Sequence, residues 1–287
     1  MSGKGPISRW LPTPLLKASA LLHAGAVASL VRPQYWPWAL GAVICDHLLL
    51  TACGLTPRSR WLGPNLTRLP GVAAAAGHIA LTIDDGPDPQ VTPQVLEILA
   101  AHGITATFFC IGERVARHAD LAQEIVRRGH RIENHSARHL NRFSLLGPAA
   151  LAREIERAQQ IIERVSGARP RFFRAPAGLR SPLLQPVLTR LDLQLASWTR
   201  RGFDTVARSA PIVLGRLAED LRAGDILLLH DGNAARTPAG EPVILAVLPP
   251  LIERIASLGL TPVTLHAALE GASGSRHNAT QSSAPRP

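Results

Sequence analysis

Along residues 71–270, short apolar runs alternate with stretches in which apolar residues recur every three or four positions. That is the pattern of strands alternating with amphipathic helices. Compact runs rich in β-branched and aromatic residues predict strands at 79–83, 105–111, 131–134, 172–175, 193–198, 225–230 and 262–265. Helical periodicity predicts helices over 92–102, 114–128, 149–165, 182–191, 212–222 and 243–258, with Gly103, Gly129 and Gly167 at the stop positions of the first three. About seven strand–helix units over roughly 200 residues predict a parallel α/β fold, most simply an incomplete (β/α) barrel. Chemistry in such a barrel gathers where strands run into loops.

The strong polar groups fall at those places. The first strand ends in Asp84-Asp85-Gly86, and the third runs into His135-Ser136-Ala137-Arg138-His139. The fourth ends in Arg174-Ala175-Pro176-Ala177-Gly178, the fifth leads to Asp204, and the sixth ends in His230-Asp231-Gly232.

Composition separates the rest of the chain into three parts. Residues 1–70 are apolar and basic and hold Trp10, Trp36, Trp38, Trp61 and the single Tyr, Tyr35. Residues 71–270 form the strand–helix region, and 271–287 are small, polar and proline-containing, which predicts a disordered tail. The net charge of +10 invites a nucleic-acid reading, but residues 1–70 carry seven Lys/Arg against one acid, while 71–270 carry 22 Arg against 20 acids. A nearly balanced body without a basic stripe argues against a nucleic-acid partner. Cys45, Cys53 and Cys110 form no C-x-x-C pair, which excludes a disulfide scaffold and a thiolate zinc cluster.

His135 and His139 are spaced i, i+4, which on a helical turn places both imidazoles on one face and suits a divalent metal. Asp84 or Asp85 supplies an anionic third ligand, since adjacent carboxylates at the end of a buried strand are costly without a cation. A turn with one Asp capping the next helix accounts for one of the two, not both. Such a site leaves a position open for water, and the second Asp can take that water's proton. Arg174 can pair with that Asp, and His230 can protonate a leaving group with Asp204 raising its pKa.

The set Thr82-Ile83-Asp84-Asp85-Gly86, His135-Ser136-x-x-His139, Arg174-x-Pro176-x-Gly178 and Leu229-His230 resembles, in order and spacing, the polysaccharide deacetylases with a NodB homology domain, carbohydrate esterase family four. The resemblance covers about residues 72–268. It implies Asp84 as catalytic base, Asp85, His135 and His139 as metal ligands, His230 as catalytic acid, Arg174 as the group orienting Asp84, and the backbone N–H of Ala177 as an oxyanion donor. The expected cofactor is a divalent metal, zinc first, with cobalt, nickel or manganese as alternatives. Three positions depart from the family pattern: Ala177 stands where the family carries Tyr, Thr205 replaces a second Trp after Trp198 and Asp204, and Ile83 replaces Phe. Pro176 and Trp198 are expected to contact substrate. Residues 71–270 have one Trp and no Tyr, so a short or lipid-linked glycan suits them better than a long one.

The expected activity is hydrolytic removal of N-acetyl, or another small acyl group, from amino sugars of a polysaccharide, oligosaccharide or glycolipid by metal-activated water. An O-acetyl carbohydrate esterase and a catalytically silent glycan-binding membrane protein are the alternatives.

Residues 18–31 are an uncharged run between Lys17 and Arg32, and 33–57 contain a single charge, Asp46, with Trp36 and Trp38 placed like interface anchors. A membrane hairpin turning near Pro33 puts Lys17 and Asp46 at similar depth, where they can pair. An amphipathic segment lying on the membrane surface is the other reading. Basic residues flank the apolar region at Lys4 and Arg9 and again at Arg58, Arg60 and Arg68. Two spans leave the catalytic part in the cytoplasm and one span exports it, in either case at a bacterial inner membrane. Leu50-Thr51-Ala52-Cys53 and Ala26-Val27-Ala28 imitate cleavage boxes behind interrupted apolar runs, and attachment through residues 1–60 without cleavage is expected.

Overall fold

A computed structural model describes residues 10–270, so the 271–287 tail and the flanking Lys4 and Arg9 lie outside the described residues. The strands are β1 (His78–Asp84), β2 (Thr107–Cys110), β3 (Arg131–Asn134), β4 (Phe172–Phe173), β5 (Gln194–Leu195), β6 (Arg200–Arg201), β7 (Ile226–His230) and β8 (Thr261–Pro262). They form one parallel sheet in the order β5-β4-β3-β2-β1-β7-β6, with β8 pairing the start of β1. The helices are α1 (Pro14–Ala28), α2 (Trp36–Leu55), α3 (Gly71–Ala75), α4 (Thr92–Ala101), α5 (Gly112–Arg117), α6 (Ala119–Arg127), α7 (Pro148–Ser166), α8 (Leu184–Arg190), α9 (Ala210–Ala218) and α10 (Val243–Ser257). The fold is the expected incomplete barrel.

Alternation along β1 sorts the chemistry from the core. Ile79, Leu81 and Ile83 join the cluster shared with α4, α6 and α10, while Ala80 belongs to the inner cluster with Phe109, Trp198 and Leu228. A period of two therefore puts Thr82 and Asp84 on the inner face with Ala80. Parallel pairing then sets Asp84 beside His230 and Thr82 beside Leu228. On the other flank Asn134 pairs with Cys110 of β2 and Phe173 of β4, so the polar strand ends converge on one rim.

Three local expectations are corrected. The helix over 114–128 is two helices, broken where His118 leaves the helical region (φ −124°, ψ 53°), and the first begins earlier, at Gly112, packed where a side chain would strike Ala158 of α7. The strand over 193–198 is the two-residue β5 followed by the separate β6, since Ala196 and Ser197 turn to pair instead with Leu66. Lys17 and Asp46 do not pair: Lys17 is exposed, and buried Asp46 accepts a hydrogen bond from Ser19 Oγ (2.7 Å) with His23 Nδ1 3.9 Å away.

The apolar N-terminal region is a hairpin of α1 against α2, turning through Ser29–Tyr35 and presenting Leu21, Val27, Leu48 and Trp38 outward. By length and composition both arms are apolar enough to cross a membrane. Its open end is tied to the barrel by a strap of residues 54–69. Arg180 N–H donates to the Gly54 carbonyl (3.2 Å), Ser197 Oγ to that of Pro57 (2.7 Å), and Leu66 bridges Ala196. Gly178 sits under this strap at φ 74°, where an added Cβ would meet the Trp198 ring and Pro57. Gly178→Ala should therefore lower stability by about 1–3 kcal/mol, read as a fall in denaturant midpoint of the detergent-solubilised protein.

Candidate active site

A cavity of about 230 Å³ opens at the rim, walled by Asp84, Asp85, His135, His139, Ala177, Trp198 and His230 among others. These side chains arrive from the ends of several strands.

Asp84 is buried, and its Oδ1 accepts from Arg174 Nη1 at 2.6 Å. Arg174 is itself buried, stacked 4.0 Å from the Phe109 ring centroid, and donates to Thr82 Oγ1 (2.9 Å) and to the carbonyls of Ala196 (3.2 Å) and Ser197 (2.9 Å). Burial pulls its pKa below the ordinary arginine value, with Asp84 opposing. The pair leaves Asp84 Oδ2 on the cavity side, 3.8 Å from His135 Nε2.

Asp85 stands at φ 75°, turned away from Asp84 by the left-handed backbone. Its Oδ1 lies 3.2 Å from His135 Nε2 and 3.4 Å from His139 Nε2, and its Oδ2 accepts from Asn233 Nδ2 (3.1 Å). Burial alone would raise its pKa, but His135, His230 and His139 outweigh burial and hold it below the usual carboxylate range.

His135 and His139 come from a loop, not a helical turn. Ser136 (φ 64°) and His139 (φ 52°) are left-handed, which brings the two rings to 4.9 Å. The loop is fastened to α7: Asn134 Nδ2 donates to the Ile155 carbonyl (2.9 Å) and Gln159 Oε1 (3.0 Å), its Oδ1 accepts from Ser136 N–H, and Ala137 N–H reaches the Glu154 carbonyl. His135 Nδ1 lies 2.8 Å from the Arg174 carbonyl, which fixes the proton there and turns the Nε2 lone pair toward Asp85. Burial lowers the pKa of His139, so it too offers a neutral nitrogen.

That arrangement fits a divalent cation. Asp85 Oδ1 is buried without a hydrogen-bond partner, facing two imidazole lone pairs, and the three ligand atoms lie within 4.8 Å of one another. Three acceptors converging in a buried space repel unless a cation sits among them.

On the opposite wall, His230 ends β7 with Nδ1 2.9 Å from Asp204 Oδ1, and its own N–H donates to Asp204 Oδ2 (2.7 Å). Burial disfavours the imidazolium, but Asp204 prevails and raises the His230 pKa. Ala177 (φ 55°) lines the cavity within the Pro176–Gly178 turn. Pro176 is buried at the start of that turn.

Sequence reasoning passed over Asn233, Arg114 and Arg201. Asn233 holds Asp85, and Arg114 donates to the Asp85 carbonyl (3.0 Å) and to Asn233 Oδ1 (3.0 Å). Arg201 lines the cavity, unannounced by any motif, together with Thr205 at the position where the family pattern has Trp. Asp231, buried and accepting from Thr92 Oγ1 and Gly232 N–H, has its carboxyl pushed up by burial to about 7.

The chain's relatives share this architecture. A polysaccharide deacetylase family model matches residues 72–196. A chitooligosaccharide deacetylase of Azorhizobium caulinodans is 36% identical over 155 residues, covering 54% of this chain and 73% of that one. A peptidoglycan-N-acetylglucosamine deacetylase of Bacillus cereus is 34% identical over 161 residues, covering 55% of this chain and 75% of that one. The solved structure of a pseudoenzyme of carbohydrate esterase family four from Bacillus anthracis superposes with a TM-score of 0.64 over 73% of this chain and 70% of that one, at 22% identity, which is likeness of fold.

Zinc titrated calorimetrically into chelator-treated protein should bind. Asn233→Ala should weaken it roughly 10–100-fold as loss of an outer partner, and His139→Ala by more. Equal affinities in all three proteins would remove the cation from this site.

Proposed function

The chain belongs to the polysaccharide deacetylase family, and from that premise we propose that it hydrolyses the N-acetyl, or another small N-acyl, group of an amino sugar. The observation carrying this reading is the orphaned Asp85 oxygen facing His135 and His139, with Asp84–Arg174 and His230–Asp204 standing at the same cavity. A divalent ion held by Asp85, His135 and His139, zinc in the first instance and cobalt, nickel or manganese as substitutes, supplies when bound a Lewis acid that acidifies water and polarises the acyl carbonyl.

The chain's own groups do the rest. Arg174 fixes Asp84 so that Oδ2 takes the proton of the attacking water as the carbon–oxygen bond forms. The Ala177 amide donates to the oxyanion that develops on the acyl carbonyl. His230, kept protonated by Asp204, gives its proton to the departing nitrogen as the carbon–nitrogen bond breaks, releasing acetate and a free amino sugar. A small cavity with one tryptophan on its wall suits a short or lipid-linked glycan. The hairpin of α1 and α2 attaches the catalytic region to a membrane.

Purified protein in detergent, loaded with zinc, should release acetate from N-acetylated and not from O-acetylated oligosaccharides; the reverse preference would make it an esterase. Protein that bound neither metal nor glycan turnover products and released no acetate would be a silent scaffold. Asp84→Asn should lower kcat by about 100-fold or more while zinc content persists, and retained activity would remove Asp84 as base.

The pH profile carries a second sign. Because His230 must be protonated to act, its raised pKa extends activity toward alkaline pH. Asp204→Asn should therefore shift the alkaline limb of kcat/KM to lower pH, and an unmoved limb would assign the acid elsewhere.

A further inference from the structure

A larger cavity of about 580 Å³ adjoins the active-site cavity, and Trp198 and Arg201 form part of both walls. Its remaining walls include Pro57, Arg58, Phe203 and Arg216. Arg201 is half-buried, with its guanidinium 5.4 Å from the Trp198 ring centroid and 4.9 Å from that of Phe203, and its Nε is buried without a hydrogen-bond partner. Arg200 in the same wall pairs with Asp225 (2.8 Å), which it shares with Arg68 (2.9 Å). Arg58 and Arg216 instead donate to the carbonyls of Thr199 (3.1 Å) and Gly202 (3.3 Å), which satisfies hydrogen bonds and leaves their charge uncompensated. Glu219 is the acid in this wall, facing three unneutralised guanidiniums.

Solvated surface arginines account for Arg58 and Arg216, which are exposed. They do not account for Arg201, which is stacked between two rings with a desolvated, unpartnered donor. A guanidinium held that way is preorganised for an anion, and its fork matches phosphoryl oxygens. The position of the groove adds a second constraint. It begins at Thr56–Arg58, directly after α2 ends at Leu55, so it runs from the apolar hairpin to the catalytic cavity.

We propose that this groove binds a phosphoryl group attached to the amino sugar, with Arg201 as the specificity-determining contact. The substrate class is then an N-acyl glycosyl phosphate, and in its lipid-linked form the chain lies along the exit of the hairpin. This rests on the amino-sugar reading above and narrows it.

The test separates the two readings by measuring binding apart from turnover. Full-length Asp84→Asn protein in detergent is titrated with diacetylchitobiose, with N-acetylglucosamine 1-phosphate, and with polyprenyl-diphosphate-linked N-acetylglucosamine. The phosphorylated ligands should bind about tenfold or more tighter than the neutral one, the size of a charge-assisted hydrogen-bond set. A further gain for the polyprenyl ligand identifies the lipid-linked source, and equal affinity for the two identifies the soluble sugar phosphate. In the Asp84→Asn background, Arg201→Gln should erase most of the preference and Arg201→Lys should restore part of it. If Arg201→Gln fails to fold, the double variant Arg58→Ala, Arg216→Ala should reduce the same ratio. Equal binding of neutral and phosphorylated ligands, or a preference unchanged in these variants, overturns the proposal. Phosphoryl preference without acetate release by the wild-type protein would leave the groove standing and sink the hydrolase reading instead.

Discussion

Arg174 and Asp84 bury opposite charges inside the barrel, with their side chains 1% and 3% exposed, and the contact between them is where the rim of the barrel is organised. Removing either partner strands the other charge out of water, at about 3–5 kcal/mol. The pair is held by more than attraction: Thr82 Oγ1, the Ala196 and Ser197 carbonyls and the Phe109 ring absorb what the guanidinium presents beyond Asp84. From the other end of the same residue, the Arg174 carbonyl meets His135 Nδ1. One arginine thus orients the proposed base through its side chain and sets the tautomer of a proposed ligand through its backbone. Strands β1, β3, β4 and the loop after β5 are cross-linked at a single point, and the cavity inherits its shape from that cross-link.

The charge distribution follows from it. Asp84 is answered by Arg174 and Asp204 by His230, so each has an internal partner. Asp85 has a single hydrogen bond from Asn233, to one oxygen, and two imidazoles whose nitrogens face the other. The residual negative charge of the site is therefore concentrated on Asp85 Oδ1, on the side of the cavity opposite His230. That asymmetry separates a cation-accepting wall from a proton-donating wall, which is what a reaction moving a proton from water to a departing nitrogen requires.

Much of this was legible in the sequence because it depends on strand ends. A buried parallel strand must be apolar until it leaves the sheet, so Asp84-Asp85 after His78–Ile83 and His230 after Ile226–Leu229 mark rim positions wherever the strands lie in space. The family resemblance assigns Asp84 and Asp85 different roles, and strand alternation with the left-handed φ of Asp85 turns the two side chains apart. What was not legible depends on backbone detours. His135 and His139 share a spacing with helical pairs, yet they meet through two left-handed residues pinned to α7 by Asn134. Strand β6 is two residues long, too short to leave a period, and so Arg201 carried no signal. Lys17 was matched to Asp46 by charge, while the chain satisfies that carboxylate with Ser19, a shorter and cheaper partner inside an apolar hairpin.

The strap of residues 54–69 joins these levels. It leaves α2, crosses over Gly178 and Trp198 through Pro57, and pairs Leu66 with Ala196, the residue next to a carbonyl that holds Arg174. The open end of the hairpin and the cavity wall are consequently joined through one residue, since the Ser197 side chain bonds the strap while its carbonyl bonds Arg174. An unstructured linker would leave the end of α2 without such contacts, whereas this connection packs against the barrel beside the cavity. Under the proposed membrane attachment, the face of the barrel carrying Arg58, Arg201 and Arg216 lies on the side from which the hairpin leaves. Positive charge placed there would favour an anionic headgroup, so the proposed anchor and the proposed groove call for the same kind of substrate.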